Sequence, residues 1–350
     1  MLTGWQTIDG SKYYFKKTAS STMNKGEMLT GWQKINGSTY YFKKKANDTM
    51  RKGTMLTGLW KIGDYKYYFG TNGKLKTGWQ TIDGSTYYFK KTASDTKRKG
   101  AMLTGLKKIG DYKYYFGSNG KLRTGWQTIN GKTYYFKKTA SDTKRKGAML
   151  TGLKKIGNYK YYFNSSGVLQ TDKIVGSESK GYYYVDSSGK VVTTKSIQLA
   201  VDFVMEHTDS SMTKSEKLKA CYNYLWKNYT YKRYYETPTA SDMNTYAKQM
   251  FINKKGNCYR YAASFACIAK VLGYESRVAV GKISSSSGGM TAHGWTEVKV
   301  NGKWYICDAN MQMNHPSINS YMRTESTYAY RHSCSARYKL TLSNGKAVWK

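Results

Sequence analysis

Residues 1–195 contain no cysteine and no histidine; all five cysteines and all four histidines of the 350-residue chain lie beyond them. This excludes thiol and imidazole chemistry from more than half of the chain and confines any nucleophile-and-base arrangement to the remainder. His207, His315 and His332 have no ligand spacing, so no metal is expected, and nothing points to another cofactor. Acidic residues are scarce as well, 21 against 58 Lys and Arg, for a net charge of +37. The surplus is uneven: residues 1–195 hold 37 basic and 11 acidic side chains, residues 196–350 hold 21 and 10. A charge of that sign points to an anionic partner for the first part. No apolar run approaches the roughly 20 residues of a membrane span, and no signal peptide begins at Met1. The pentapeptide Met-Leu-Thr-Gly-Trp at 1–5 returns at Met28–Trp32, so the chain opens partway through a repeat and any export signal is expected upstream.

What is present in residues 1–195 is repetition. Gly-Trp or Gly-Leu pairs begin at Gly4, Gly31, Gly58, Gly78, Gly105, Gly125 and Gly152, which alternates longer and shorter units. Each unit reads as an apolar-led strand such as Trp79 to Ile82, a two-residue turn such as Asp83-Gly84, Asn130-Gly131 or Gly110-Asp111, and a tyrosine-rich strand such as Tyr87-Tyr88-Phe89. That pattern predicts β-hairpins with primed turns. Single hairpins are marginal in water, so the units are expected to stack as a solenoid that buries their aromatic rings. The degenerate stretch Gly181 to Val185 reads as its cap. Longer units carry a basic insert, KKTASDTKRKGAMLT, at 90–104 and again at 137–151, a candidate phosphate contact.

Residues 196–350 have another grammar. In GNCYRYAASFACIAKVLGY, 256–274, Gly256 and Asn257 supply a turn and an N-cap. Ala262, Phe265, Ala266, Ala269, Val271 and Leu272 give a buried helical face that ends at Gly273. Cys258 therefore falls in the first helical turn, where free N–H groups and the helix dipole favour a thiolate and can also hold an oxyanion. Downstream, His293 opens the run Trp295, Glu297, Lys299 against Thr296, Val298, Val300; Asn301-Gly302 is a hairpin turn, and Lys303 to Cys307 returns to deliver Asp308. Such a hairpin sets His293 beside Asp308. Cysteine, histidine and aspartate so placed form the nucleophile, base and orienter of acyl transfer. Cys221, Cys267 and Cys307 sit on apolar stretches and are expected to be core, with all five cysteines thiols. Trp295, Trp304 and Tyr305 are expected to lie as core beneath the triad, and Tyr229 or Tyr231 to reach the oxyanion. The Ser/Gly loop 284–289 is expected either to gate the site or to be a plain connection.

The stretch from about Thr213 to Asp308 resembles the transglutaminase-like superfamily, whose core is papain-like. The likeness rests on the helix SEKLKACYNYLWKNYTY, the G-x-C helix, the exit Leu-Gly-Tyr-Glu-Ser-Arg-Val, H-x-W-x-E-V and W-Y-x-x-D. It implies Cys258, His293 and Asp308 as a catalytic triad acting on amide bonds of a protein or peptide. The array resembles the cell-wall-binding repeats of choline-binding proteins, glucan-binding proteins and clostridial toxin tails. Choline sites in that family are aromatic cages with a Trp directly before the Tyr-Tyr pair. Here that position holds Lys12, Thr39, Lys66, Thr86, Lys113, Thr133 and Lys160, and Leu59, Leu106 and Leu153 replace the leading Trp of the short units. An anionic wall polymer or a glycan is therefore expected on Trp5, Trp32, Trp79, Trp126, Tyr87 and Tyr134; the alternative is that these rings only build the core. Nucleic acid, the other polyanion, is not expected, since no nucleic-acid motif is present.

The expected whole is an all-β hairpin-repeat solenoid, residues 1–195, followed by an α+β papain-like, transglutaminase-like domain, residues 196–350, secreted and wall-associated. Hydrolysis as a peptidase or amidase is expected over cross-linking, because Lys254, Lys255 and Arg260 near the thiol repel a lysine donor. A cross-linking transglutaminase and a non-catalytic glycan-binding adhesin are the alternatives. Sulfur-to-imidazole distance separates enzyme from scaffold.

Overall fold

A computed structural model describes residues 1–94, 98–141, 144–285 and 288–350. Parts of both basic inserts and of the Ser/Gly loop expected to gate the site lie outside the described residues. The chain divides into two compact units, one of residues 1–128 with 135–149, the other of residues 129–134 with 150–350.

In the first unit the hairpins are Gly4–Ile8 with Ser11–Phe15, Gly31–Ile35 with Ser38–Phe42, Gly58–Ile62 with Tyr65–Phe69, Gly78–Ile82 with Ser85–Phe89, and Gly105–Ile109 with Tyr112–Phe116. Asp83 and Gly84 both take positive φ, 47° and 68°, the type I′ geometry that suits strand twist. Trp79 pairs across the ladder with Tyr88, and their rings meet edge-on at 5.0 Å. Backbone bonds then tie each unit to an earlier one: Met55 N donates to Lys12 O, Leu75 N to Thr39 O, and Met102 N to Lys66 O. The carbonyl acceptor is the residue just before each Tyr-Tyr pair, so this position is used for stacking. Phe42, Phe69, Phe89 and Phe116 are fully buried between units. Each such ring contributes on the order of 2 kcal/mol by leaving water, which a lone hairpin cannot gain.

The second unit begins with the hairpins Gly152–Ile156 with Tyr159–Phe163 and Lys173–Ser177 with Gly181–Val185. The stretch expected to cap the array does more than close it. Tyr184 and Val192 enter the main core beside Ile197 and Phe203. Asp186, fully buried, accepts from Ser188 N and Oγ, Lys190 N and Gly345 N, which joins this hairpin to the chain's last β-turn.

Five helices follow: α1 (Lys195–His207), α2 (Lys214–Asn228), α3 (Met243–Asn253), α4 (Cys258–Val271) and α5 (Ala309–Asn314). Thr213 and Glu216 close a capping box on α2. An antiparallel sheet runs in the order Lys303–Cys307, Met290–Val300, Glu275–Ser284, His332–Ser343, Lys346–Trp349. Helix α4 is buried at every residue from Cys258 to Ala269, which marks a central helix covered on all sides. Two hydroxyls fix it on the sheet: Ser276 Oγ donates to Ala266 O at 2.7 Å and Thr296 Oγ1 to Ala262 O at 2.8 Å. The histidine strand starts at Met290, three residues earlier than the alternation suggested, and is buried on both faces from His293 to Val298. Trp295 is core, as expected; Trp304 and Tyr305 are only half-buried, because they lie on the edge strand, where Trp304 carries the Arg277 guanidinium at 3.9 Å.

Candidate active site

Asn257 takes an extended conformation before α4, and its carbonyl and side-chain oxygens accept from Arg260 N, its carbonyl also from Tyr261 N. Cys258 is thereby the first residue of the helix and is buried. Its neighbour Tyr259 packs on Gly294 of the histidine strand, where a Cβ would lie 2.5 Å from the Tyr259 ring. Only glycine after His293 lets the helix start approach the strand so closely.

His293 Nε2 lies 2.7 Å from Asp308 Oδ2, and the Cys258 side chain is close enough to the ring to favour its charged form. Nδ1 is the nitrogen left for the sulfur. Burial of this ring disfavours the imidazolium, but Asp308 and Cys258 outweigh it through charge and hydrogen bonds and raise its pKa to about 10. Burial likewise opposes ionisation of Asp308; the His293 charge and hydrogen bonds from His293, Met311 N and the Tyr328 hydroxyl prevail and hold the carboxyl below its ordinary value. Asp308 also caps α5 through Met311 N, and Tyr222 donates to its carbonyl. The structure thus bonds His293 to Asp308 and places Cys258 beside the ring on the wall of one cavity.

Behind these three residues, Trp295 stacks under His293 at 6.4 Å and donates through Nε1 to Glu297, which is buried and also accepts from Arg277 and Arg337. In H-x-W-x-E the three residues share one face of the strand, each holding the one before it. Tyr328, 2.7 Å from Asp308, was not found by sequence reasoning. It lies in an irregular stretch twenty positions after the aspartate, with no periodicity to mark it.

The remaining cysteines are free thiols. Burial pushes Cys221, Cys267 and Cys307 up to about 12 and raises Cys334. Tyr229 is packed against Phe203 and Tyr224, whereas Tyr231 lines the space around the sulfur. Arg260, expected to present charge to that space, is buried instead. Its guanidinium pairs with Glu236, bonds Gln249 and Asn257, and lies between the Tyr234 and Tyr246 rings at 3.9 and 4.4 Å. Two cavities, about 540 and 510 Å³, share Tyr231, Arg233, Cys258, Thr291 and Ala292. One extends to Tyr235 and Thr237, the other to Met311, His315 and Tyr330. Among the described residues no group of three or more His, Cys, Asp or Glu is arranged for a metal, and no helix is long and apolar enough to cross a membrane.

Of the array residues nominated for ligand, Trp5 and Trp126 are each 40% exposed and Trp32 and Trp79 are half-buried. Tyr87 and Tyr134 are buried, because the first tyrosine of each pair points into the stack. The second, Tyr88, is the half-exposed ring that meets Trp79.

Residues 201–309 match the model of the transglutaminase-like superfamily. Residues 2–53, 103–139 and 150–196 match the choline-binding repeat, and 77–92 the putative cell wall binding repeat. No curated protein matches the chain. Among solved structures, choline binding protein F from Streptococcus pneumoniae is 30% identical over 55% of this chain and 58% of its own, with a TM-score of 0.44. CbpJ from the same species, strain TIGR4, is 29% identical with the same coverage and TM-score. The choline-binding domain of CbpL is 24% identical over 55% of this chain and 97% of its own, with a TM-score of 0.34. The chain therefore spans little more than half the length of the first two. It unites a transglutaminase-like core domain with an array of choline-binding-type cell wall repeats.

Proposed function

We propose that residues 196–350 are a cysteine acyl-transfer enzyme acting on amide bonds of a protein or peptide, and that residues 1–195 hold it outside the cell on an anionic wall polymer or glycan. The carrying observation is the grouping of Cys258, His293 and Asp308 at the head of α4, where two cavities meet. The sulfur attacks the amide carbonyl carbon, and the electron pair moves to oxygen, held by the N–H groups of Cys258 and Tyr259 at the helix start. His293, protonated, delivers its proton to the departing nitrogen as the C–N bond breaks, leaving a thioester and a free amine. Water then gives a proton to His293 and attacks the thioester carbonyl; the sulfur departs and a carboxylic acid is released. Asp308 keeps the imidazole oriented and offsets its charge, as the orienting acid of such triads does.

Transamidation is the second reading, and two observations favour it. The sequence counted Arg260 against a lysine donor, yet that charge is neutralised by Glu236 and covered by two rings. The two cavities that meet at Cys258 leave space for an acceptor and a donor, with Arg233 on the wall of both. Partitioning decides between the readings. The protein is given a glutamine-containing peptide and a millimolar primary amine, and ammonia release, peptide cleavage and amine incorporation are quantified together. Hydrolysis in excess identifies a peptidase or amidase; incorporation in excess identifies a transglutaminase. Absence of all three, with Cys258 unreactive to an electrophilic amide probe, makes the domain a scaffold.

A further inference from the structure

Three tryptophans of the array already carry a cation supplied by their own chain: Lys43 lies 5.9 Å from the Trp60 ring, and two arginines lie closer on theirs. The Arg98 guanidinium lies over the Trp32 ring, 4.9 Å from its centroid, and Arg145 over Trp79 at 4.4 Å. Each ring belongs to an aromatic trio: Trp32 meets Tyr41 and Tyr67 edge-on at 5.1 and 4.8 Å, Trp79 meets Tyr88 and Tyr114 at 5.0 and 4.9 Å. An indole face attracts a cation through its quadrupole. Here a free quaternary ammonium has to displace a tethered guanidinium, whose effective concentration is of millimolar order or above. Both arginines occupy equivalent positions in the basic inserts of two long repeats, so the arrangement recurs with the repeat.

Beside the second trio, Tyr88 forms one wall of a cavity of about 460 Å³ that Lys90, Lys91, Lys107, Lys108 and Ser94 also line. Among the described residues no Asp or Glu lines it. Lys90 Nζ donates to Ser94 Oγ, and four lysines with no acidic residue among the described lining make this aromatic-walled space electropositive, while an array of net positive charge draws anions to it. Ammonium groups with a hydroxyl suit phosphate oxygens, and the Tyr88 ring suits the C–H face of a sugar or polyol.

We infer that this cavity, and not the aromatic faces, is where the array takes its ligand, and that the ligand is a phosphodiester-linked sugar or polyol chain: Lys90, Lys91, Lys107 and Lys108 hold the phosphate, Tyr88 holds the carbon skeleton, and Arg98 and Arg145 close Trp32 and Trp79 to free cations. This rests on the reading of the array as a wall-binding module.

The full chain is titrated with poly(glycerol phosphate), with neutral dextran and with choline chloride, by calorimetry and tryptophan fluorescence, with near-ultraviolet dichroism as the check on folding. Saturable binding of the phosphate polymer is expected, with none of dextran. Lys107→Gln with Lys108→Gln weakens it about tenfold, a change of about 1.4 kcal/mol, while Lys12→Gln with Lys17→Gln, the same loss of charge elsewhere in the array, weakens it far less. Equal losses in the two variants overturn the cavity. Dextran bound as tightly as the polymer overturns the phosphate assignment. Choline is expected to be silent on the unaltered chain and to bind once Arg98→Ala and Arg145→Ala are combined. Choline quenching that is equal with and without the two arginines, or silence in the double variant, overturns the role given to the arginines. If the unaltered chain ignores the polymer, this inference and the array's part of the proposed function fail together, while the amide chemistry stands or falls on its own assay.

Discussion

In the first unit, contacts are made within a hairpin or from one repeat to another: Trp79 meets its cross-strand partner Tyr88, and Phe89 is covered by the next insert. In residues 196–350 they are made across long stretches of chain, as when a helix start, a strand and the end of a hairpin place Cys258, His293 and Asp308 in one file. Acidic residues show the same contrast. Asp9 pairs with Arg51 at 2.8 Å with both side chains about 70% exposed, whereas Asp308 and, just ahead of residue 196 but in the second unit, Asp186 are fully enclosed and each accepts several hydrogen bonds. A repeat array can lose one element and keep its neighbours. A domain whose site is assembled from distant segments concentrates consequence in a few positions.

The largest effects are therefore expected at the triad. Cys258→Ala abolishes alkylation near neutral pH while Cys221, Cys267 and Cys307 stay slow, and Asp308→Asn lowers turnover by roughly 10³- to 10⁴-fold. Mass spectrometry after timed haloacetamide exposure checks the first; equal rates at Cys258 and Cys267 break the assignment of a single reactive thiol. Next is the buried carboxylate outside the site. Asp186→Ala strands the donors of Ser188, Lys190 and Gly345 and is expected to cost about 3 kcal/mol in urea unfolding. Asp9→Ala, the exposed counterpart, is expected to cost about 0.5 kcal/mol or less. Similar values for the two erase the contrast drawn above.

Gly294→Ala comes next, at about 1–3 kcal/mol by overpacking against Tyr259. The sharper readout is Cys258 alkylation, which slows because the helix start is pushed off the histidine strand; unchanged kinetics sink the close-approach account. Tyr328→Phe keeps the ring and removes one donor to Asp308, so turnover is expected to fall about tenfold. Its acid limb moves to higher pH, since Asp308 loses a bond that favours its ionised form. A pH slope gives the last test. His293 is held above its unfolded value of about 6.5, so its stabilisation is complete below that pH and is lost as pH rises through about 10. Urea midpoints of the unaltered chain fall across that window more steeply than those of His293→Ala; parallel curves contradict the assignment.

Much of the site was legible because its cues are local. An N-cap before Cys258, Asn301-Gly302 between two β runs and alternation along H-x-W-x-E are short-range statements, and the hairpin register places Thr296 opposite Cys307, which brings His293 within reach of Asp308. Tyr328 and Glu236 were missed for the opposite reason. Both come from irregular stretches where no period says which way a side chain turns. Arg260 was misjudged for a related reason: charge counting treats a guanidinium as solvated, and only the packed neighbours show it paired and covered.

From residues alone, then, came the hairpin grammar of the array, the basic surplus, and the cysteine, histidine and aspartate on their helix and strands, since each depends on spacing within a few positions. Tertiary structure alone decided that Tyr87 and Tyr134 face inward, that Arg98 and Arg145 cover Trp32 and Trp79, that Arg260 is silent beside the thiol and that Tyr328 holds Asp308. Burial and charge pairing are properties of what surrounds a side chain, and those surroundings come from segments far away in the chain.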